Sequence, residues 1–262
     1  MFDIRVLLDR EPTEYVIFDN ELDCPYLDGR LACFPVRIPV RALELWEFDR
    51  TLARGDRRHG DALYAPECYG CGACEAIRID VGEFRPSRSQ RRAQVRGDAV
   101  LRVERGEIEV DQERVELYEL HLRGRGLSIP GDTAMTVERY SGFVENGLTS
   151  SFEIRLFLGD ALVGVAVTDR GEDSLSAHYT YYNPEYPHLS LGTYMIMEQL
   201  RIVRELGARY LYLGLHVEQC VHMNYKARFR PHERLIGGSW QRIGDRDEMD
   251  QKAETDERHD KK

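Results

Sequence analysis

Three cysteines two residues apart stand in the stretch CYGCGACEAIRIDVGEFRPSRSQRR, residues 68–92. That spacing constrains the local fold more than any other part of the chain. Cys68, Cys71 and Cys74 converge on one ion or cluster only if the backbone turns tightly, and Gly70 and Gly72 permit such a turn. Cys24, just before Pro25 in a DCPYLDGR loop, is the natural fourth thiolate. Cys33, between Ala32 and Phe34, suits a small buried residue better. Zinc and an iron–sulfur cluster both fit such a set: C-x2-C-x2-C is the ferredoxin-type run, but with the fourth cysteine upstream. Arg85, Arg88, Arg91 and Arg92 follow at once and offer planar forks suited to phosphate or carboxylate.

Charge sharpens the contrast. The 262 residues carry a formal charge of -10, which argues against indiscriminate nucleic-acid binding. Residues 84–97 nevertheless hold five arginines and no acid, a pattern that fits a small polyanion contact. Lysine occurs at 226, 252, 261 and 262 alone, so Lys226 is the one lysine expected in the folded part. In so arginine-rich a chain, this points to a position that requires a compact ammonium. With 42% hydrophobic residues the chain can bury real cores. It shows no apolar run of the roughly 18 residues needed to span a bilayer and no leader-like start, so no membrane partner and a cytoplasmic location are expected.

The order of elements suggests an α+β fold. Ile4–Leu8 and Tyr15–Phe18 read as strands, and 39–54 as a helix, with Pro39 near its start, that packs on the cysteine knot. VDQERVELYELHLRGRG reads as a second helix. Three strands in meander follow, EIRLFLG, LVGVAVTD and LSAHYTYYNP. Then come the helix LGTYMIMEQLRIVRELG, the strand RYLYLGLHV and a helix through MNYKARF. Ile196, Leu200, Val203 and Leu206 form one apolar stripe on the longer helix, with Gly207 at its C-terminal end. The order matches acyltransferases of the GNAT type. Ser190 and Gly192 lead into a helix N-terminus whose free amides can hold an anion or a developing oxyanion, although an ordinary capped surface helix would look the same. The domains expected are 1–94 with the cysteines and SRSQRR, a GNAT-like unit over 95–245, and a charged, disordered tail over 246–262. No P-loop or GxGxxG occurs, so no nucleotide cofactor is expected.

CPYLDGR (24–30), LYAPECYGCGACEAIRIDV (63–81), FRPSRSQRR (84–92), SAHYTYYNPEYPHLSLGTYMIMEQL (176–200) and YLYLGLHVEQCVHMNYKARFRPHERL (210–235) closely resemble the aminoacyl-tRNA–protein transferases of the N-degron pathway. The resemblance implies transfer of an amino acid from its tRNA to the N-terminal amine of proteins beginning with Asp or Glu, marking them for degradation. YKARFRP and CxxCxxC look like the bacterial branch, mostly leucyltransferases, so leucyl-tRNA is the favoured donor and arginyl-tRNA the alternative. Asn183 stands where many relatives have aspartate, and EQC at 218–220 is closer to the SC of arginyl enzymes. Eukaryotic relatives have been linked to iron–sulfur binding through related cysteines.

The ester of an aminoacyl-tRNA is already activated, so the task is to position two substrates, take a proton from the amine and stabilise an oxyanion. Backbone amides of Gly192, Thr193 and Tyr194, beside Ser190, are candidate oxyanion donors; Glu218, Tyr179 or Tyr181 are candidates for handling protons. An acidic acceptor residue needs a cation, and Arg78, Arg88, Arg91, Lys226 and Arg228 are available, with Tyr225 beside Lys226. One basic motif, SRSQRR or YKARFR, is expected to hold the acceptor carboxylate and the other the tRNA phosphates. The competing classes are a CoA-dependent acetyltransferase, although HLSLGTY is poor in arginine and glycine for a pyrophosphate loop, and a non-catalytic adaptor that reads acidic N-termini.

Overall fold

The computed structural model describes residues 5–128 and 133–244; the expected tail, and Ile4 of the first strand, lie outside them. The strands in chain order are β1 (Arg5–Leu7), β2 (Glu14–Phe18), β3 (Glu21–Asp23), β4 (Leu31–Cys33), β5 (Val36–Pro39), β6 (Arg57–His59), β7 (Ala62–Tyr64), β8 (Glu75–Asp80), β9 (Leu101–Gly106), β10 (Ser150–Leu158), β11 (Ala161–Arg170), β12 (Ser174–Tyr182), β13 (Tyr210–His216), β14 (His232–Ile236) and β15 (Ser239–Ile243). The helices are α1 (Leu45–Ala53), α2 (Arg88–Val100), α3 (Gln112–Arg125), α4 (Val137–Val144), α5 (Leu191–Glu205) and the short α6 (Val221–Asn224), which runs into a 3-10 turn over Tyr225–Arg228.

Two larger sheets result. The smaller has the order β1-β2-β5-β7-β6 and buries Arg37 between Glu14 and Asp56. The larger has the order β15-β14-β8-β13-β12-β11-β10-β9. Its faces are covered differently. On one side α5 packs Met195, Leu200 and Val203 against Ile154, Leu156, Leu175 and Leu211. On the other, α3 and α4 bring Val115, Tyr118, Tyr140 and Val144 onto Val165, Val167 and Tyr181. Together these buried apolar groups supply the main force that closes the fold.

Several expectations change on folding. The strand β8 lies inside the large sheet, between β13 and β14, and α2 runs across residue 94, where the first domain was expected to end. Residues 36–39 are strand, with Pro39 opposite Glu14, so the helix starts later, behind Glu44. That helix buries Phe48 and Leu52 against Leu63, Leu148 and Tyr212, and these contacts replace the expected packing on the cysteines. Leu206 drops out of the apolar stripe and is exposed, because α5 has ended before it and Gly207 takes a left-handed turn, φ 69°.

One local feature positions the site. The strands β12 and β13, joined through α5, pair in parallel only at Ser174–Ser176 with Tyr210–Tyr212. Beyond that they separate, and β13 is irregular between Tyr212 and Gly214, where it faces β8. A gap between neighbouring strands in an otherwise continuous sheet exposes backbone groups and accepts a ligand.

Candidate active site

Gly214 lies at this divergence with φ +82°, and a Cβ built there would stand 1.4 Å from Arg57 Nη1. Only glycine leaves room for that guanidinium. Arg57 comes from β6, so the small sheet delivers a cation to the parting strands of the large one. Its Nε is buried with no hydrogen-bond partner, and no carboxylate pairs with the guanidinium among the described residues. The charge of Arg57 acts on Tyr26, His178, Tyr225 and Lys226, which places these groups around it.

Lys226, from the 3-10 turn, is 7% exposed. Its Nζ donates to the Leu215 carbonyl at 2.6 Å and lies 3.8 Å from Met223 Sδ. Burial and then the charge of Arg57 push its pKa well below the usual lysine value, with Cys220 opposing weakly. Lys226 is buried and Arg57 half-buried, and neither has an acid partner among the described residues, an arrangement that favours entry of an anion. Tyr225 is 38% exposed as a residue, but burial around its hydroxyl raises its pKa, with Tyr182, Arg125 and Arg57 as its charged or polar neighbours. Tyr179 is also raised by burial, with Tyr118 and Tyr225 adding to the shift. It lines a neighbouring cavity of about 380 Å³ together with Tyr118, Leu122, Leu127, Met135 and Arg139.

The structure separates the remaining candidates. Tyr181 is fully buried, its hydroxyl 2.5 Å from that of Tyr140 beneath α4, so it cannot meet a substrate. Arg78 is caged: its guanidinium lies 3.9 Å from the ring centre of Tyr210 and 4.1 Å from that of Trp240. It also donates to Glu233 at 2.6 Å and to the Tyr212 hydroxyl at 3.0 Å, so its charge is already paired and its side chain is largely covered. The Tyr194 amide donates to Ser190 O at 3.0 Å as the first turn of α5 closes, and its hydroxyl donates to Asp98 at 2.9 Å. Gly192 and Thr193 lie within that first turn, and a Cβ at Gly192 would stand 2.9 Å from the Tyr182 ring. Glu218 is 74% exposed on its side chain, 3.4 Å from His216 Nε2. Arg88, Arg91 and Arg228 are exposed, and Gln90 Nε2 donates to Arg228 O at 3.1 Å, which joins the SRSQRR and YKARFR segments.

Cys24, Cys68, Cys71, Cys74 and Cys220 lie close enough for their thiols to influence one another. Burial pushes the Cys74 thiol up to about 12, and neighbouring Cys24, Cys68, Cys71 and Cys220 add to the rise. Donors stand ready for thiolate sulfur: the Cys33 amide lies 3.3 Å from Cys68 Sγ, and Arg30 Nη1 lies 3.7 Å from Cys71 Sγ. No three ligand-type side chains among the described residues close on a single point as they stand. Soft sulfur donors at this density nevertheless suit zinc or iron. Two members of the site went unnoticed in the sequence. Arg57 sits in the turn-rich RGDRRHG with nothing to mark it, and Cys220, though visible in EQC, had no spacing that tied it to the other cysteines.

Comparison with known proteins identifies the family. Residues 22–92 match the family model described as arginine-tRNA-protein transferase, N terminus, and residues 113–236 match that of its C terminus. A protein named aspartate/glutamate leucyltransferase from Alkalilimnicola ehrlichii is 38% identical over 84% of this chain and 92% of its own length. One of the same name from Aeromonas hydrophila is 36% identical over 86% of this chain and 93% of its own. Among solved structures, the L-PGS of Bacillus licheniformis superposes with a TM-score of 0.46 at 13% identity, over 65% of this chain and 58% of that one, too distant to carry weight. With both halves matched in order and the relatives covered nearly end to end, the chain belongs to the arginine-tRNA-protein transferase family.

Proposed function

We propose that this protein transfers leucine from leucyl-tRNA to the N-terminal amine of proteins that begin with Asp or Glu. Relatives named aspartate/glutamate leucyltransferase support the donor and the acceptor. The observation that carries the reading is half-buried Arg57 beside buried Lys226, two basic groups without an acid partner among the described residues, at the point where β12 and β13 part. An aspartate or glutamate side chain completes that site, and the adjoining α-amine is then held beside the start of α5.

The chemistry asks little more of the chain. Carboxylate binding at Arg57 and Lys226 orients the amine, and orientation supplies most of the rate. Amides of Gly192 and Thr193 face the ester carbonyl and stabilise the oxyanion. Glu218 at the rim takes the amine proton. The phenol of Tyr179, raised by burial, keeps its proton at neutral pH and serves as a donor. The diverging strands, crossover helix and helix N-terminus together support a GNAT-type fold for the transfer unit, and the small sheet with the cysteines is read as the module that delivers Arg57. The supply of charged tRNA places the reaction in the cytoplasm.

Cys24, Cys68, Cys71 and Cys74 would hold a zinc ion or an iron–sulfur cluster, with Cys220 close by. Such a group would fix the loops behind Tyr26, and acyl transfer has no electron for it to move. Metal analysis and visible absorption after anaerobic purification distinguish the two: zinc is colourless and a cluster absorbs broadly.

The decisive assay mixes the full chain with leucyl-tRNA, arginyl-tRNA or acetyl-CoA and a peptide beginning with Asp. A mass gain of one leucyl residue is expected. An arginyl gain would change the donor, an acetyl gain would overturn the family-based reading, and binding without any gain would make the protein an adaptor.

A further inference from the structure

Many arginines among the described residues are matched with acids, among them Arg58 with Asp169, Arg114 with Glu153, Arg105 with Glu205, Arg201 with Asp98 and Arg209 with Asp80. The helix α2 departs from that habit. Arg88, Arg92 and Arg96 lie at four-residue intervals along its exposed side, and none has a carboxylate partner among the described residues. Arg96 reaches only the Ser190 hydroxyl, at 3.5 Å, and Arg85 only the carbonyls of Gly82 and Phe84, both at 2.9 Å. Asp98 and Glu83, the acids nearest in sequence, are taken up by Arg201 and Arg242.

The opposite side of α2 is fixed. Gln90, Ala93 and Gly97 are buried, and a Cβ at Gly97 would stand 2.2 Å from the Tyr194 ring of α5. The Ser87–Gln90 capping box pins the start of the helix, and Gln90 ties it to the Arg228 backbone. The stripe is therefore rigidly aimed. It runs from Arg228 at one end to Ser190, at the head of α5 and the cleft, at the other. Eight residues of helix span about 12 Å, roughly the reach of three to four phosphates along one strand of a double helix.

We infer that the Arg88, Arg92 and Arg96 stripe is the track for the phosphate backbone of the donor tRNA near its aminoacyl end. In a chain of net charge -10, a segregated row of unpaired guanidinium groups confines polyanion contact to this face. Contacts of this kind position the RNA without reading its bases. The inference rests on the transfer reading above, and it separates two roles: the α2 stripe holds the donor, while Arg57 and Lys226 hold the acceptor.

The test compares the full-length wild type with the Arg88→Ala, Arg92→Ala, Arg96→Ala triple variant. A control triple variant, Arg50→Ala, Arg102→Ala, Arg105→Ala, removes equal charge from exposed arginines that already have acid partners. Binding of uncharged tRNA is followed against salt, and transfer kinetics against each substrate. The stripe variant should bind tRNA about 100-fold more weakly at low salt. Its salt slope should be shallower by about two to three. KM should rise for leucyl-tRNA and stay unchanged for the peptide, with thermal melting unaltered and the control variant like wild type. A stripe variant that binds tRNA normally, while wild type transfers leucine, overturns the track and leaves the transfer reading standing. An equal loss in the control variant also overturns it. A wild type that yields no product, yet loses tRNA binding on stripe substitution, supports the track and removes the transfer reading.

Discussion

Replacing Lys226 by Met separates its chemistry from its packing. Methionine keeps the unbranched apolar stem and discards the amine. For folding, the loss is one hydrogen bond to Leu215 O, about 1 kcal/mol. Against it stands the relief of an amine buried next to Arg57, so at neutral pH the variant should be destabilised by no more than about 1 kcal/mol. The sign with pH is definite. Burial lowers the folded pKa below the ordinary 10.5, so between those values the unfolded chain binds a proton that the folded chain does not. Wild-type stability therefore falls as pH drops through that window, by about 1.4 kcal/mol per unit. The variant lacks that loss, and its advantage in melting temperature should grow toward lower pH. For catalysis, an ammonium about 4 Å from an acceptor carboxylate at an effective dielectric of about 20 is worth about 4 kcal/mol, or about 1,000-fold in kcat/KM. Peptides beginning with Asp and with Asn, assayed by mass gain beside thermal melts, test both halves. Activity within tenfold of wild type, or a destabilisation of several kcal/mol, would refute the reasoning.

Other outcomes follow from the same geometry. If the buried amine of Lys226 is neutral in the free protein, binding of an acidic peptide should take up close to one proton near neutral pH; titration calorimetry in buffers of different ionisation heat measures it, and no uptake counts against the site. Gly214→Ala should cost about 1–3 kcal/mol, from its φ of +82°, and displace Arg57, so that transfer falls more than stability explains. His121, His178 and His232 are each pulled down to about 4, chiefly by burial. Below pH 6.5 the unfolded chain protonates these sites first, so acid melts should show stability falling between pH 6.5 and 4 by about 1.4 kcal/mol per unit for each histidine; a flat profile would contradict their buried, neutral state.

Much of this protein was readable along the chain because the relevant signals are local. Short runs rich in apolar and aromatic residues mark β10, β11 and β12, and Gly207 ends α5 where its left-handed turn requires glycine. Motif strings carried the family, and an isolated lysine in an arginine-rich chain pointed to Lys226. The helix α4 and the hairpin β14–β15 were missed, since a short helix and short strands leave little periodicity to detect. Tyrosine parity was unreadable too: Tyr179 and Tyr181 share a face of β12, yet only the packing of Tyr140 decides that one is sealed and the other lines a cavity. Arg78 looked like a binding cation until Tyr210, Trp240 and Glu233, far away in sequence, closed around it. The sequence by itself determined which residue types the site could use and the order of its elements. Only the tertiary structure decided that Arg57 meets Lys226, because that meeting depends on how β6 is docked against diverging strands more than a hundred residues later, through burial and strand pairing that no local pattern encodes.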